Sequence, residues 1–349
     1  MLITDLIHEH ESLARYTSWK IGGPARFFAN AQSPEQMTAL LTWARERELP
    51  TFVLGGGSNS LIRDAGFPGL VLRYRASEIE ISDHGDLVTV TIDAGAPTAG
   101  SVRRIVRQGI AGIEWAEGLP GTIGGALYGN AGCYGGDIAS ILSRAWVLVD
   151  GEIEEWSVAK FAYGYRTSAL KQAGARGEGS GLIAKSKNID PLGHPHPSPL
   201  PCAGEGIRLP LLAGEGWGEG VNSSALRYSS VLLNPTILRA EFALHRADPQ
   251  ELVRKMAETS EVRRGKTPSG QSCGSVFKNP PGDSAGRLIE AVGLKGARIG
   301  GAEVAEKHAN YIINRGGATA ADVLELTDLM RERVQKEQGI ELELEVQIV

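Results

Sequence analysis

One short stretch carries three kinds of polar chemistry. In Gly270-Gln271-Ser272-Cys273-Gly274-Ser275-Val276-Phe277-Lys278-Asn279, followed by Pro280, a hydroxyl, an ammonium and an amide fall at Ser275, Lys278 and Asn279. The stretch is too rich in glycine to be core. Around the serine the order is Gly-Ser-Val-Phe-Lys, not the Gly-x-Ser-x-Gly of a hydrolase elbow, which disfavours acyl transfer. A hydroxyl can instead give a proton to a developing carbanion when a nearby cation lowers the cost. Lys278 and Arg166 are available cations. A structural role for Ser275 is equally open to the residue type. Further along the sequence stand Glu341, Glu343 and Glu345, alternating with Leu342, Leu344 and Val346, so the carboxylates share one face of a strand. Like charges on one strand face repel unless the face is wet or cations cover it. His308, in Glu306-Lys307-His308-Ala309-Asn310, suits either a ligand contact or a satisfied buried imidazole.

Glycine is abundant, at 45 residues, and it clusters. Gly55-Gly56-Gly57-Ser58-Asn59 follows the strand-like Thr51-Phe52-Val53-Leu54. Successive N–H groups in such a turn form an anion nest, to which Ser58 and Asn59 add donors. A plain turn explains it as well. It is neither a Walker motif nor the GxGxxG dinucleotide fingerprint. Gly118-Leu119-Pro120-Gly121-Thr122-Ile123-Gly124-Gly125-Ala126, with Asn130-Ala131-Gly132-Cys133-Tyr134-Gly135-Gly136, gathers many small residues around a few large ones. Gly121, Thr122, Gly124, Gly125, Asn130 and Gly132 would bring backbone close to a wide, flat ligand bearing a pyrophosphate.

The elements that must hold these residues are mixed throughout. Ser33-Pro34-Glu35 opens a helix with Met37, Leu40, Leu41 and Ala44 at helical spacing, stopping before Pro50. Strands are expected at 51–54 and 70–72 and within 76–93, and a helix over 99–108 that ends at Gly109. Residues 145–158 read as a hairpin about Asp150-Gly151. Residues 232–244 are strand-rich, and a helix runs from Pro249 to about Arg264. Thr319 and Asp322 cap a helix with Val323, Leu326, Met330 and Val334 on one face. Residues 342–348 alternate as a strand. Without a regular βαβ repeat, the class is α+β, in several units.

A chain of 349 residues suits two or three domains. A net charge of −5 with scattered basic residues argues against a nucleic-acid partner, and no apolar run is long enough for a bilayer. Cys133, Cys202 and Cys273 form neither a disulfide framework nor a zinc pattern, and Met1 to Asp5 show no basic region followed by an apolar stretch, so no signal peptide is expected and a reducing cytoplasm fits best. Residues 172–226 break the texture, with Gly193-His194-Pro195-His196-Pro197 and glycine-rich repeats that lack helical or strand periodicity. The flanks Thr167-Ser168-Ala169-Leu170-Lys171 and Ser223-Ser224-Ala225-Leu226-Arg227 echo one another, consistent with a disordered insertion.

These blocks, with Tyr16 to Ala25, Tyr165-Arg166-Thr167-Ser168, Ala285 to Glu290, Gly293 to Gly296 and Ala318 to Val323, run in the order seen in one family. The chain resembles the UDP-N-acetylenolpyruvoylglucosamine reductases, flavoenzymes of peptidoglycan precursor synthesis, in their shorter type. The resemblance implies an FAD-binding fold of the vanillyl-alcohol-oxidase type plus a C-terminal α+β substrate domain. Its boundaries would be 1–72 for the first FAD-binding unit, completed by 338–349, then 73–245 for the second and 246–337 for substrate. It implies bound FAD, NADPH as hydride donor, and a cytoplasmic monomer acting on a UDP-sugar enolpyruvyl ether. Ser275 corresponds to the proton donor, and Arg166 and Glu345 to residues that grip the substrate carboxylate, with a shared proton or an Arg166 bridge raising the Glu345 pKa. Gly55, Gly56, Gly57, Ser58 and Asn59 join the second glycine block at the cofactor, and Lys266 and Asn279 resemble substrate contacts. Cys133 stands where the family usually has alanine. The alternatives are another FAD-dependent oxidase or dehydrogenase of this fold, or a homologue that binds nucleotide sugars without turnover.

Overall fold

A computed structural model describes residues 3–176 and 235–349. The segment read as an insertion lies outside the described residues from 177 onward, while 172–176 continue the helix Ala169–Arg176. The first sheet has the order Ile7–Ser12, Pro24–Ala31, Phe67–Tyr74, Thr51–Val53, antiparallel in its first pairing and parallel in the others. Helix Pro34–Arg45 covers it. Ser33 accepts a hydrogen bond from the Gln36 N–H at 3.3 Å, and Met37, Leu40, Leu41 and Ala44 are buried along one side. The helix stops at Arg45, before Pro50 as expected, and the chain turns through Glu48 at φ 52°.

The second sheet is antiparallel, in the order Glu152–Ser157, Leu142–Val149, Thr236–Arg246, Leu87–Asp93, Ile79–His84. Its hairpin turns at Asp150 (φ 51°) and Gly151 (φ 93°), the two positive φ values a type I′ turn requires. Helix Thr98–Val106 packs its buried Val102, Ile105 and Val106 into the same core. Helix Pro249–Lys266, which the sequence places in the third unit, also contributes to this core, through Leu252 and Met256. These are its buried residues; one helical turn apart, they leave the rest of the helix to solvent.

A second core gathers the C-terminal region with Trp19, Ile21 and Leu61 from the N-terminal one. It holds a small sheet, Arg298–Ile299, Ala302–Val304, Ile312–Asn314, and helices Ala285–Ala291 and Ala320–Gln338. The capping box at Thr319 and Asp322 is formed, and Val323, Leu326, Met330 and Val334 are all buried. Asp64 also reaches this helix start, accepting from the N–H groups of Ala320 (2.8 Å) and Ala321 (2.9 Å). Trp19 Nε1 donates to the Ile312 carbonyl at 2.7 Å, a further tie between distant parts of the chain.

The last residues differ from the continuous strand expected over 342–348. Only Gln347–Ile348 is a strand, parallel to Ser60–Leu61, and Leu344 forms an isolated bridge with Phe277. The segment changes partner midway. The Lys278 N–H donates to the Glu343 carbonyl and the Glu345 N–H to the Val276 carbonyl, both at 2.8 Å; beyond that, the Gln347 N–H donates to the Asn59 carbonyl at 3.0 Å. One run of alternating residues thus joins the serine-bearing stretch to the first glycine block. Among the described residues, no helix is long and apolar enough to cross a membrane.

Candidate active site

The two glycine blocks meet backbone to backbone. A Cβ at Gly56 would lie 2.5 Å from the Gly121 Cα, and one at Gly121 (φ +100°) would lie 2.8 Å from Ser58 Oγ. Gly57, at φ +61°, would put a Cβ 2.1 Å from the Tyr16 carbonyl oxygen. The N–H groups of residues 55–59, and those of Gly121 and Thr122, have no acceptor among the described residues. A lining of free N–H donors around two touching loops is the arrangement that receives a phosphate-bearing ligand. It fits the diphosphate of FAD. Thr122 caps the helix Ile123–Tyr128 by accepting from Gly125 N–H.

Other members of the second block are spent inside the fold. Gly124 donates to the Ala94 carbonyl at 2.8 Å, and a Cβ there would meet the Ala94 Cβ at 2.9 Å. Gly132 leaves room for Asp137 across a small hairpin. Asn130, buried and at φ 44°, donates to the Gly164 carbonyl (3.1 Å) and accepts from the Ala139 N–H (3.1 Å). It therefore ties the cradle to the loop that carries Arg166. Cys133 is accommodated, its sulfur accepting from Arg263 Nη2 at 3.1 Å.

Arg166 sits on a loop closed by paired hydrogen bonds between Gly164 and Thr167, and its own backbone is left-handed at φ 56°. A non-glycine residue held there stores strain that the surroundings must offset. Lys171 Nζ helps, donating to the Arg166 carbonyl at 3.1 Å. Arg166 Nε lies 3.0 Å from Glu345 Oε1, yet its N–H is not aligned for a hydrogen bond and finds no partner. The guanidinium is attracted to Glu345 without being saturated by it.

Glu345 is mostly buried, with 15% of its side chain exposed. Burial pushes its pKa above the ordinary value of 4.5, while Arg166, Lys171 and Lys278 pull it back. This corrects the expected cause. The direction is upward, but desolvation drives it and Arg166 opposes it, because a neighbouring cation favours the charged carboxylate. The carboxylates expected to share a face each have a cation: Arg331 lies 3.6 Å from Glu341, Lys278 pairs with Glu343, and Arg166 with Glu345. Asn59 Nδ2 donates to the Glu345 carbonyl at 3.0 Å, which sets the acid beside the first glycine block.

Ser275 lies next to this acid on the adjoining segment. It forms an antiparallel bridge with Tyr311, and its neighbour Val276 accepts from Glu345 N–H. Asn310 locks the segment by gripping Phe277 twice: it accepts from the Phe277 N–H (2.9 Å) and donates to the Phe277 carbonyl (2.8 Å). Ser275, Arg166 and Glu345, far apart in sequence, are thus brought to one place beside the free N–H groups. Asn279 is exposed, and its oxygen accepts from the Ala285 N–H at 3.1 Å. Lys266 is exposed at the end of helix Pro249–Lys266, without a polar contact to the cluster among the described residues. His308 is engaged locally, accepting from the Asn310 N–H at 3.3 Å, and burial lowers its pKa.

Known proteins are similar to this chain over nearly its whole length. The UDP-N-acetylenolpyruvoylglucosamine reductase of Chloroflexus aurantiacus is 44% identical over 344 residues, covering 98% of this chain and 97% of that protein. The chain belongs to the UDP-N-acetylenolpyruvoylglucosamine reductase family. The reductase of Rubrobacter xylanophilus is 37% identical over 97% of the chain and 94% of its own length. Residues 266–349 match the C-terminal domain of this reductase family, and residues 25–157 match an FAD-binding domain. The crystal structure of the reductase from Thermus caldophilus superposes with a TM-score of 0.69 at 30% identity, over 97% of this chain and 98% of that one. The α+β FAD-binding fold with an added C-terminal domain is therefore that of this reductase family, and the protein is an FAD-containing oxidoreductase.

Three residues at the site escaped the reading of the sequence: Lys171, Asn310 and Tyr311. Asn310 and Tyr311 lie in a stretch that carried the resemblance, but their partners are more than thirty positions away, so spacing alone gives no sign of them.

Proposed function

We propose that this protein reduces the enolpyruvyl ether of a UDP-N-acetylglucosamine to UDP-N-acetylmuramate, with NADPH as the source of hydride. The observation that carries the reading is the unsaturated guanidinium of Arg166, held beside the largely buried Glu345 and the Ser275 segment and next to a row of free N–H donors. When bound, FAD supplies a hydride acceptor and donor, filled from NADPH and emptied onto the vinyl CH2 carbon. Residues 55–59 with Gly121 and Thr122 would hold its diphosphate, and Gly124, Gly125, Asn130 and Gly132 shape the cradle around it.

The chain's own groups would handle the charge that hydride addition creates. Arg166 attracts the substrate carboxylate, onto which the electron pair of the double bond is displaced. Glu345, drawn toward its neutral form by burial, can approach that carboxylate without full repulsion. Interactions that strengthen as this charge develops are the ones that raise the rate. Ser275 then gives its Oγ proton to the other carbon of the former double bond. Lys266 and Asn279 would contact the nucleotide sugar. The same reading divides the chain into 1–72 with 338–349, 73–245 and 246–337, supported by the return of Gln347–Ile348 to Ser60–Leu61. It makes the enzyme a monomer that works in the cytoplasm, where nucleotide sugars and NADPH are made.

The test is anaerobic. The purified yellow protein should bleach with NADPH and recolour when the enolpyruvyl nucleotide sugar is added. Bleaching without recolouring would overturn the substrate assignment. Rapid reoxidation by air with a small alcohol as reductant would favour an oxidase instead.

A further inference from the structure

We propose that the Tyr311 phenol is a proton relay that recharges Ser275 during each reduction, an inference that rests on the function proposed above. Ser275 and Tyr311 are directly opposed in an antiparallel bridge, so their side chains project to the same side. The phenol is half-buried, and the side chains of Thr267 and Ser275 both favour its ionised form. Thr267 caps the end of helix Pro249–Lys266, partly exposed and next to the exposed Lys266. Three hydroxyl-bearing residues, each partly exposed, are thereby associated at the Ser275 bridge. The ring is held in place: His308 packs on it at 4.9 Å between centroids, Tyr311 N–H donates to the His308 carbonyl at 3.0 Å, and Ala305 N–H donates to the Tyr311 carbonyl at 2.9 Å.

The chemistry needs such a group. Once the Ser275 Oγ–H bond breaks and the proton joins the substrate carbon, the serine is left as an alkoxide. A phenol, with an ordinary pKa of about 10, is a far stronger acid than an alcohol, so a proton moves downhill from Tyr311 Oη to Ser275 Oγ. The side chains of Thr267 and Ser275 and the positive charge of Arg263 all favour the phenolate left behind. Burial and the charge of Glu345 act in the opposite sense and push the Tyr311 pKa up, so the phenolate recovers a proton from solvent by way of Thr267. One solvent proton is consumed per substrate and no electrons pass through the relay.

The experiment compares the two half-reactions of the FAD-loaded enzyme by stopped flow, in wild type, Y311F, T267V and S275A. In Y311F, flavin reduction by NADPH should stay within about twofold of wild type. Reoxidation by the enolpyruvyl nucleotide sugar should slow about tenfold, less than the ~10²-fold expected for loss of the direct acid, because water substitutes in part. T267V, which keeps the phenol, should slow reoxidation by a smaller factor. A proton inventory of reoxidation in mixed light and heavy water should be curved in wild type and straight in Y311F, a change that a packing defect would not produce. Reoxidation at the wild-type rate, or an equally curved inventory, in Y311F would overturn the relay. If wild type itself is not reoxidised by the nucleotide sugar, the proposed function fails. If wild type is reoxidised and S275A is not, while Y311F matches wild type, the relay alone falls.

Discussion

The proposed cofactor cradle and the charged cluster beside it are built on opposite plans. The cradle is backbone. Its two glycine blocks touch at Gly56 and Gly121, where a single methyl group would collide, and the donors they present are main-chain N–H groups. The cluster is side chain. Arg166, Ser275 and Glu345 come from three distant segments, held in register by Lys171, Asn130, Asn310 and Asn59. Backbone donors are set by the path of the chain and bear a ligand's fixed charge. A buried carboxyl with a raised proton affinity, such as Glu345, suits a charge that appears only during reaction. On the function proposed above, the contrast separates binding from chemistry.

That separation can be broken at either end. The largest effect is expected from S275A, which should leave FAD bound and reduced by NADPH while reoxidation by substrate falls by ~10²–10⁴. Stopped-flow absorbance measures both steps, and a loss of flavin reduction would show that the cluster also serves the first half-reaction. Next comes Asn310→Ala. Removing the amide leaves the buried N–H and carbonyl of Phe277 without their partner, at a cost of about 1–3 kcal/mol for each group, read from urea denaturation. A smaller loss would mean that the bridges at Ser275 and Leu344 hold the segment without it.

Gly56→Ala probes the cradle. The added methyl, 2.5 Å from the Gly121 Cα, should push the two loops apart at a cost of about 1–3 kcal/mol and weaken FAD retention on dialysis. Retention equal to wild type would show that the contact between the loops does not shape the cofactor site.

The smallest effect is on pH dependence. Glu345 has a raised pKa in the folded protein, so the folded state holds its proton more tightly than the unfolded state. Its contribution to stability is fully present below the ordinary value of 4.5 and is lost as pH rises through the raised value. Denaturation curves of wild type and E345Q should therefore diverge as pH rises above about 5, with the variant gaining relative to wild type. Parallel curves would mean that Arg166, Lys171 and Lys278 together cancel the burial.

Much of this molecule is local in origin, and that much was determined by the sequence. Ser33-Pro34 starts a helix, Thr319 and Asp322 close a capping box, and Asp150-Gly151 turns a hairpin, because each depends on groups within about four residues. The composition of the glycine blocks suggested a cradle, and packing inside the protein accounts for Gly124 and Gly132. The roles of Ser275, Arg166 and Glu345 came from the resemblance of their motifs, since spacing alone could not bring them together. Tertiary structure alone decided the rest. It divided the alternating residues of 342–348 between two partners, placed Asp64 at the start of a helix 256 positions away, and set Tyr311 opposite Ser275. The physical reason is one of range. A cap or a turn is settled by neighbours along the chain, whereas a buried acid acquires its charge state, and a hydroxyl its partner, from whichever segments the closed core brings against it.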